Sequence, residues 1–363
     1  MTKRSEYMEW AKLHSQARFS LAASGVLNVP LSEFPPRPDN IEITGPGGYG
    51  FAPLQQRIAR HTGVSEECVV TAAGTSMANH LAMAAVLNPG DEVLIEQPAY
   101  GPLVDVANYL EARVKRVSRE FDTGFSIELG RFGSAITSAT RLIVLTNLHN
   151  PSGALIPPET LRALGEIAQR AGAYVLVDEA YLEMMFDSDA PFAFQVGQSF
   201  GADNPFIVTN SLTKTYGLSG LRCGWVLASP DLAKRMWLFN DLFGVNAAHP
   251  AEQLSVIAFD HLKQFRERAR DLLSINRALL DAFLDSRNDL ECFRPATGTV
   301  VFPRLAHGDA EAFVKLLREK YETSVVPGKF FEMSQHFRIG IGSDTETVRG
   351  GLERVSAALD EFR

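Results

Sequence analysis

The segment Phe206–Ala228, FIVTNSLTKTYGLSGLRCGWVLA, constrains the fold more than any other part of the chain. It opens on the branched and aromatic run Phe206-Ile207-Val208, which predicts a buried strand. A polar turn from Thr209 to Lys214 follows, then Gly217-Leu218-Ser219-Gly220, Arg222 and a second apolar run from Cys223 to Ala228. Lys214 is thus held between two buried strands, where an ammonium is expensive to desolvate. Such a lysine either reaches water or gives up its charge, and condensation with an aldehyde removes the free ammonium altogether. Ser211 and Arg222 flank it with a hydroxyl and a permanent cation, a pair suited to a phosphate dianion.

The rest of the chain can supply a large core around this segment. It has 363 residues, 45% of them apolar, and predicts more than one domain. The net charge of −8 and the absence of a basic-aromatic run argue against nucleic acid as a partner. Cys68, Cys223 and Cys292 match neither a metal spacing nor a disulfide framework, which implies a reducing, cytoplasmic setting. No apolar run is long enough to span a membrane, and the polar N-terminus is not that of a signal peptide.

From Cys68 to Ala228, short apolar runs alternate with helical patterns. That predicts an α/β fold, a mostly parallel sheet with helices on both faces. Several chemically loaded residues fall where such strands end. Gly74-Thr75-Ser76 lies between the strand at Cys68–Thr71 and a helix from about Met77 to Leu87, either as an anion site or as an ordinary turn. Gln97-Pro98-Ala99-Tyr100 follows the strand at Glu92–Glu96; Tyr100 offers a flat ring to a ligand or packs on a helix. The strand Arg141–Thr146 runs into the turn Asn150-Pro151-Ser152-Gly153, at the sheet edge where open parallel sheets bind ligands. Asp178 ends the strand Ala173–Asp178; it either meets a cation or caps a helix. Arg338, among the apolar residues of Phe337–Gly342, needs an anion, from a ligand or a nearby carboxylate.

Other expected elements are a helix over Glu6–Phe19, a stiff connector over Pro30–Asp39, a helix over Pro53–Arg60 and a long helical stretch from Glu252 to about Asp285. Gly45-Pro46-Gly47-Gly48-Tyr49-Gly50 formally matches G-x-G-x-x-G. The preceding Ile41-Glu42-Ile43 is short, Pro46 sits in the supposed tight turn, and Glu66 and Glu67 precede the next strand, so a dinucleotide fingerprint is a poor fit. The segment is expected to be a Gly-rich loop leading into a helix.

Taken together, S-x-x-K with Arg eight residues on, N-P-x-G at Asn150–Gly153 and D-x-x-Y at Asp178–Tyr181 resemble the class I/II aminotransferases. These are pyridoxal-phosphate (PLP) enzymes of the aspartate-aminotransferase fold, fold type I. The likeness runs from about Gly48 to Gly342 and is loosest in the last third. It implies a large PLP-binding domain over 45–244, an N-terminal arm over 1–44, and a linking helix with a smaller α+β domain over 245–363. The small domain would draw on both chain ends, and two copies would form a homodimer.

The resemblance also implies roles. Lys214 would hold PLP as an imine and move the substrate's Cα proton. Asp178 would pair with the pyridine nitrogen, and Tyr181 and Asn150 would donate to the phenolic oxygen. Tyr100 would stack on the ring, while Gly74, Thr75, Ser76, Ser211 and Arg222 would hold the phosphate. Arg338 would grip the substrate carboxylate, with Gly25 and Asn150 beside it. The activity implied is amino-group transfer between an L-amino acid and a 2-oxo acid. Elimination, cyclisation or decarboxylation on the same fold would use the same residues, and a PLP-binding regulator or a dehydrogenase is less compatible with the sequence. Two departures stand out. The family's phosphate-reaching tyrosine is replaced by Gly45, with Tyr49 out of register, and Ala73 stands where many members have Ser or Gly. No second arginine is assigned to a substrate side chain, and His80, Glu96 and His149 near the site segments have no evident role.

Overall fold

The protein is described by a computed structural model covering residues 4–35, 41–188 and 190–362. The first two-thirds of the chain run α1 (Glu6–Leu13), β1 (Phe19–Ser20), α2 (Ala52–Thr62), β2 (Val69–Ala73), α3 (Gly74–Val86), β3 (Glu92–Gln97), α4 (Gly101–Tyr109), β4 (Arg113–Ser118), α5 (Leu129–Ala135), β5 (Thr140–Thr146), α6 (Pro158–Ala171), β6 (Tyr174–Asp178), α7 (Ala193–Val196), β7 (Phe206–Ser211), β8 (Cys223–Leu227) and α8 (Pro230–Asn240). The remainder adds α9 (His249–Asp260), α10 (Leu262–Asp285), β9 (Leu290–Glu291), β10 (Val300–Val301), β11 (Arg304–Leu305), α11 (Ala310–Tyr321), β12 (Thr323–Ser324), β13 (Val326–Pro327), β14 (Phe337–Gly340) and α12 (Thr345–Glu361).

Seven strands form one sheet in the order β2-β8-β7-β6-β5-β3-β4. Pairs β7–β6, β6–β5, β5–β3 and β3–β4 are parallel, and β8 runs antiparallel to both its neighbours. Two faces of the same strands feed two cores. Ile143, Leu145, Val175, Val177 and Val208 pack with Leu54 and Ile58 of α2 and Leu161 and Leu164 of α6. The alternate residues Leu142, Val144, Leu176 and Ile207 pack with Leu81 of α3, Leu103 of α4 and Met236 of α8. This period-two division over continuously apolar strands puts helices on both faces. Each fully buried Leu, Ile or Phe contributes roughly 1.5–3 kcal/mol.

The last third builds a second core with the N-terminal segment. Leu21 and Val26 pack with Leu273, Phe313, Val325, Ile339 and Leu352. β1 pairs in parallel with β12, Phe19 opposite Thr323, and β14 lies antiparallel between β10 and β13. Both chain ends therefore share one small α+β unit.

Three expectations are corrected. The first helix stops at Leu13, capped through the His14 N–H to Trp10 O at 2.7 Å. Of the proline-rich connector, Leu31–Glu33 form a 3-10 turn rather than extended chain, and Pro36, Pro38 and Asp39 lie outside the described residues. The long helix breaks at His261, whose backbone (φ −123°, ψ 13°) leaves the helical region between α9 and α10.

Candidate active site

The carboxyl ends of β3, β5, β6 and β7 lie along one edge of the sheet, since these strands are parallel. β2 is related to β7 through two antiparallel pairings, so its end at Ala73 lies on the same edge. Tyr100, Asn150, Asp178, Lys214 and Gly74 all follow these strand ends. Scattered sequence positions thus converge because a parallel sheet places every strand end on one side.

Lys214 leaves β7 after a short turn and is partly buried. Its Nζ donates to Ser24 Oγ at 3.0 Å and lies 5.9 Å from the centre of the Tyr181 ring. Burial lowers its pKa; Arg338 and Arg222 push the same way, while Tyr7 and Asp178 oppose them. The backbone carbonyl of Lys214 accepts from Val26 N at 3.0 Å, which ties the N-terminal segment down. Gly25 sits against this lysine: a Cβ there would meet Lys214 Cδ at 3.3 Å. A cavity of about 470 Å³ opens here, lined by Tyr7, Trp10, Ser24, Gly25, Tyr100 and Lys214.

Asp178 does not cap a helix; a turn and the 3-10 segment Leu182–Met184 follow it. Its carboxylate accepts from Asn79 Nδ2 at 2.8 Å and Ala180 N at 3.1 Å. Asn79 in turn accepts from the Thr209 hydroxyl at 2.6 Å. Burial raises the pKa of Asp178 despite these donors and the positive field of Lys214. A carboxylate so placed suits a cationic ligand nitrogen, which stabilises its ionised form. Tyr181, whose pKa burial also raises, shares a 2.8 Å hydrogen bond with Ser24.

The anion end is built from β2, α3 and the turns around β8. Thr75 Oγ1 donates to Ser211 Oγ at 2.8 Å, and Thr213 N points at the same oxygen at 3.3 Å. Gly74 has φ +78° and lies directly under the Arg222 guanidinium, so a Cβ would collide with it. Arg222 donates to Ala73 O at 3.0 Å and Ser219 O at 3.3 Å, leaving the group exposed beside the start of α3. Ser76 is exposed one residue beyond Thr75. A cradle kept open by glycine, a helix start and an exposed guanidinium fit a phosphate.

Arg338 is fully buried on β14. Its Nη1 donates to Asn150 Oδ1 at 2.8 Å, and its Nη2 to Ala22 O at 3.0 Å and Tyr7 Oη at 3.2 Å. These acceptors are neutral, and its Nε, also buried, has no partner among the described residues. The charge and the orphaned donor fit a carboxylate ligand better than an internal ion pair. Tyr100 meets Tyr7 edge-on at 5.3 Å and donates to Met8 Sδ at 3.5 Å, so α1 covers this end of the site.

Ser24, Asn79 and Tyr7 were not singled out from the sequence as site residues. Asn79 had a signal, a lone amide inside the small apolar run of α3; Ser24 and Tyr7 depend on long-range folding of the N-terminal segment. Glu96 is committed elsewhere: it accepts from buried Arg119 at 2.6 Å and from Thr146 N and Oγ1 at 2.6 Å. His149 bonds Ser152 Oγ at 2.6 Å and Pro98 O at 2.9 Å, and burial keeps it neutral. His80 packs among Tyr109, Phe239 and Phe243. Residues 41–50 form no strand, so the glycine run lacks the strand-turn-helix setting of a dinucleotide site.

Known proteins are similar to this chain in sequence and in fold. The family described as aminotransferase class I and II matches residues 44–355. Arginine–pyruvate transaminase of Pseudomonas aeruginosa is 30% identical over 332 residues, covering 86% of this chain and 81% of that protein. Capreomycidine synthase of Streptomyces vinaceus is 29% identical, covering 80% of this chain and 74% of its own. A solved PLP-dependent aminotransferase from Streptococcus suis superposes with a TM-score of 0.92 at 28% identity, covering 100% of this chain and 99% of that one. The fold and site define a PLP-dependent enzyme of the aspartate-aminotransferase fold. This chain belongs to the class I and II aminotransferase family. It is accordingly a transaminase whose cofactor is pyridoxal 5'-phosphate and whose substrates are small amino and 2-oxo acids.

Proposed function

We propose that Lys214 is the cofactor lysine and that the residues around it divide the work of transamination between two ends of one cavity. The observation that carries this is a partly buried amine, Lys214 Nζ, bonded to a hydroxyl and set between an exposed arginine cradle and a buried arginine. Bound at Lys214, PLP supplies an electron sink for the pair released when a Cα–H bond breaks. Ser211, Thr75, Arg222 and the amides at Gly74–Ser76 hold its phosphate. Asp178, oriented by Asn79, holds the proton on the ring nitrogen. Tyr181 and Asn150 donate to the phenolic oxygen, and Tyr100 faces the ring. Arg338 orients the substrate carboxylate with Asn150 and the Gly25 backbone. Lys214 Nζ, whose pKa desolvation lowers, takes the Cα proton and returns it one atom away.

The chain divides as 1–44, 45–244 and 245–363, the first and last sharing the small unit. The sharing of one core by Leu21 and Phe313 supports this division. The same chain forms a homodimer through the face carrying Ile43, Tyr49, Leu242, Phe243 and Val245, all exposed. A cytoplasmic location is supported by its three free cysteines, and no described helix is long and apolar enough to cross a membrane.

The similarity to a synthase keeps cyclisation or elimination as a second reading. Incubating the holoenzyme with single amino acids, with and without a 2-oxo acid acceptor, separates them. Transfer predicts stoichiometric 2-oxo acid without acceptor and many turnovers with it. Acceptor-independent turnover would count against transfer.

A further inference from the structure

Ser24 stands where buried polar groups of the N-terminal segment and the large sheet meet. Its Oγ lies 3.0 Å from Lys214 Nζ and 2.8 Å from Tyr181 Oη. Its own carbonyl accepts from the Thr299 hydroxyl at 2.6 Å, which fixes the backbone that carries the side chain. Ser24 is buried and lines the same cavity as the lysine.

A hydroxyl has one hydrogen to give and can accept two. The row Lys214–Ser24–Tyr181 therefore has two self-consistent senses. With the amine protonated, Nζ donates to Ser24, Ser24 donates to Tyr181, and the Tyr181 hydrogen is free to point at an acceptor in the cavity. With the amine neutral, Tyr181 donates to Ser24 and Ser24 donates to the Nζ lone pair. Passing between them requires rotation of two hydroxyls and no bond cleavage beyond the proton that Lys214 itself gains or loses. We propose that Ser24 is a catalytic residue that couples the protonation of Lys214 to the direction in which Tyr181 donates. The inference rests on the roles given to Lys214 and Tyr181 above.

The sequence of events in a half-reaction fits this coupling. Lys214 is neutral when it takes the Cα proton and charged just afterwards. In the charged state the Tyr181 hydrogen is released toward the ligand, where electron density has just increased. The charged and titratable groups facing the lysine are Tyr7 from α1, Arg338 from β14, Asp178 at the end of β6, Arg222 before β8, Tyr181 beyond β6 and Tyr100 across the cavity. Ser24 is the neutral group in contact with the amine, so replacing it leaves these charges in place.

The test uses Ser24→Ala and Ser24→Thr. In cofactor-free protein, trace acetylation of Lys214 across pH, read by peptide mass, gives the amine's titration midpoint. Loss of the acceptor disfavours the ammonium, so the midpoint falls in Ser24→Ala and returns toward wild type in Ser24→Thr. In the holoenzyme, single-turnover formation of 2-oxo acid slows about tenfold in Ser24→Ala, and its pH profile moves in the same direction as the midpoint. Wild-type midpoint and pH profile in Ser24→Ala overturn the proposal; so does a Ser24→Thr variant that behaves like Ser24→Ala while keeping wild-type thermal stability. Failure to fix cofactor at Lys214 in the wild-type chain overturns the lysine assignment instead, which keeps the two claims apart.

Discussion

Arg338 shows what a single residue reveals here. A fully buried guanidinium with neutral partners and an orphaned Nε is a charge kept for a guest. Its planar fork matches a carboxylate in a way that an ammonium does not. Arg338→Lys is expected to raise KM for the amino acid roughly 100-fold while leaving cofactor absorbance unchanged. Steady-state kinetics beside a spectrum checks both halves. The sequence already marked this arginine as needing an anion, and Lys214 and Asp178 as needing partners, because a buried charge is conspicuous in an apolar run. Ser24 and Tyr7 could not be found that way. Their importance comes from the fold of the N-terminal segment, which brings Ser24 against Lys214 across 190 positions.

At the scale of elements, strands β5, β6 and β7 were legible because they are uninterrupted apolar runs. β4 was not: Arg113, Lys115 and Arg116 give this edge strand the charged pattern of a loop. The break at His261 was also hidden, since no Pro or Gly marks it. α12 was not read from the sequence, although Asp344, whose side chain caps Thr347 N at 2.9 Å, marks its start.

β3 and β5 are further joined by a buried carboxylate. Glu92 pairs with Lys115 at 2.7 Å and accepts from Thr140 at 2.6 Å and Thr137 at 2.8 Å. Desolvation alone would raise its pKa, but these partners win and hold it down to about 2. A depressed folded-state pKa stabilises the protein above the unfolded value of 4.5, and the contribution is lost as pH falls through about 2. Glu92→Gln is expected to cost about 2 kcal/mol at pH 7, discounted because Lys115 is partly exposed, and the difference should vanish by about pH 2. Denaturant midpoints across pH measure it. A constant cost down to the lowest pH would show that packing, not charge, is at stake.

For the whole molecule, the parallel sheet sets the site's location and the chain ends close over it. The class of fold was legible from the alternation of strands and helices, and the family resemblance implied an N-terminal arm, but the particular contacts of Tyr7 and Ser24 were not legible, because they depend on packing with distant parts of the chain. The exposed face has a consequence at this scale. Leu242 is 72% and Ile43 82% exposed, beside a cavity of about 790 Å³ that also reaches Arg222 and Gly220. Apolar groups so displayed call for a partner surface. Sedimentation is expected to show twice the 39.8 kDa chain mass, and Leu242→Asp with Phe243→Asp is expected to yield monomer. Because the face adjoins the phosphate cradle, that monomer should also bind cofactor at least tenfold more weakly.

The central claim is that the Lys214 amine carries the cofactor. Borohydride reduction of the yellow holoenzyme, followed by peptide mass mapping, tests it directly. One pyridoxyl-phosphate adduct is expected on the peptide containing Lys214, and none in Lys214→Ala. An adduct on another lysine, or an unmodified Lys214 in a fully loaded and reduced enzyme, would contradict it.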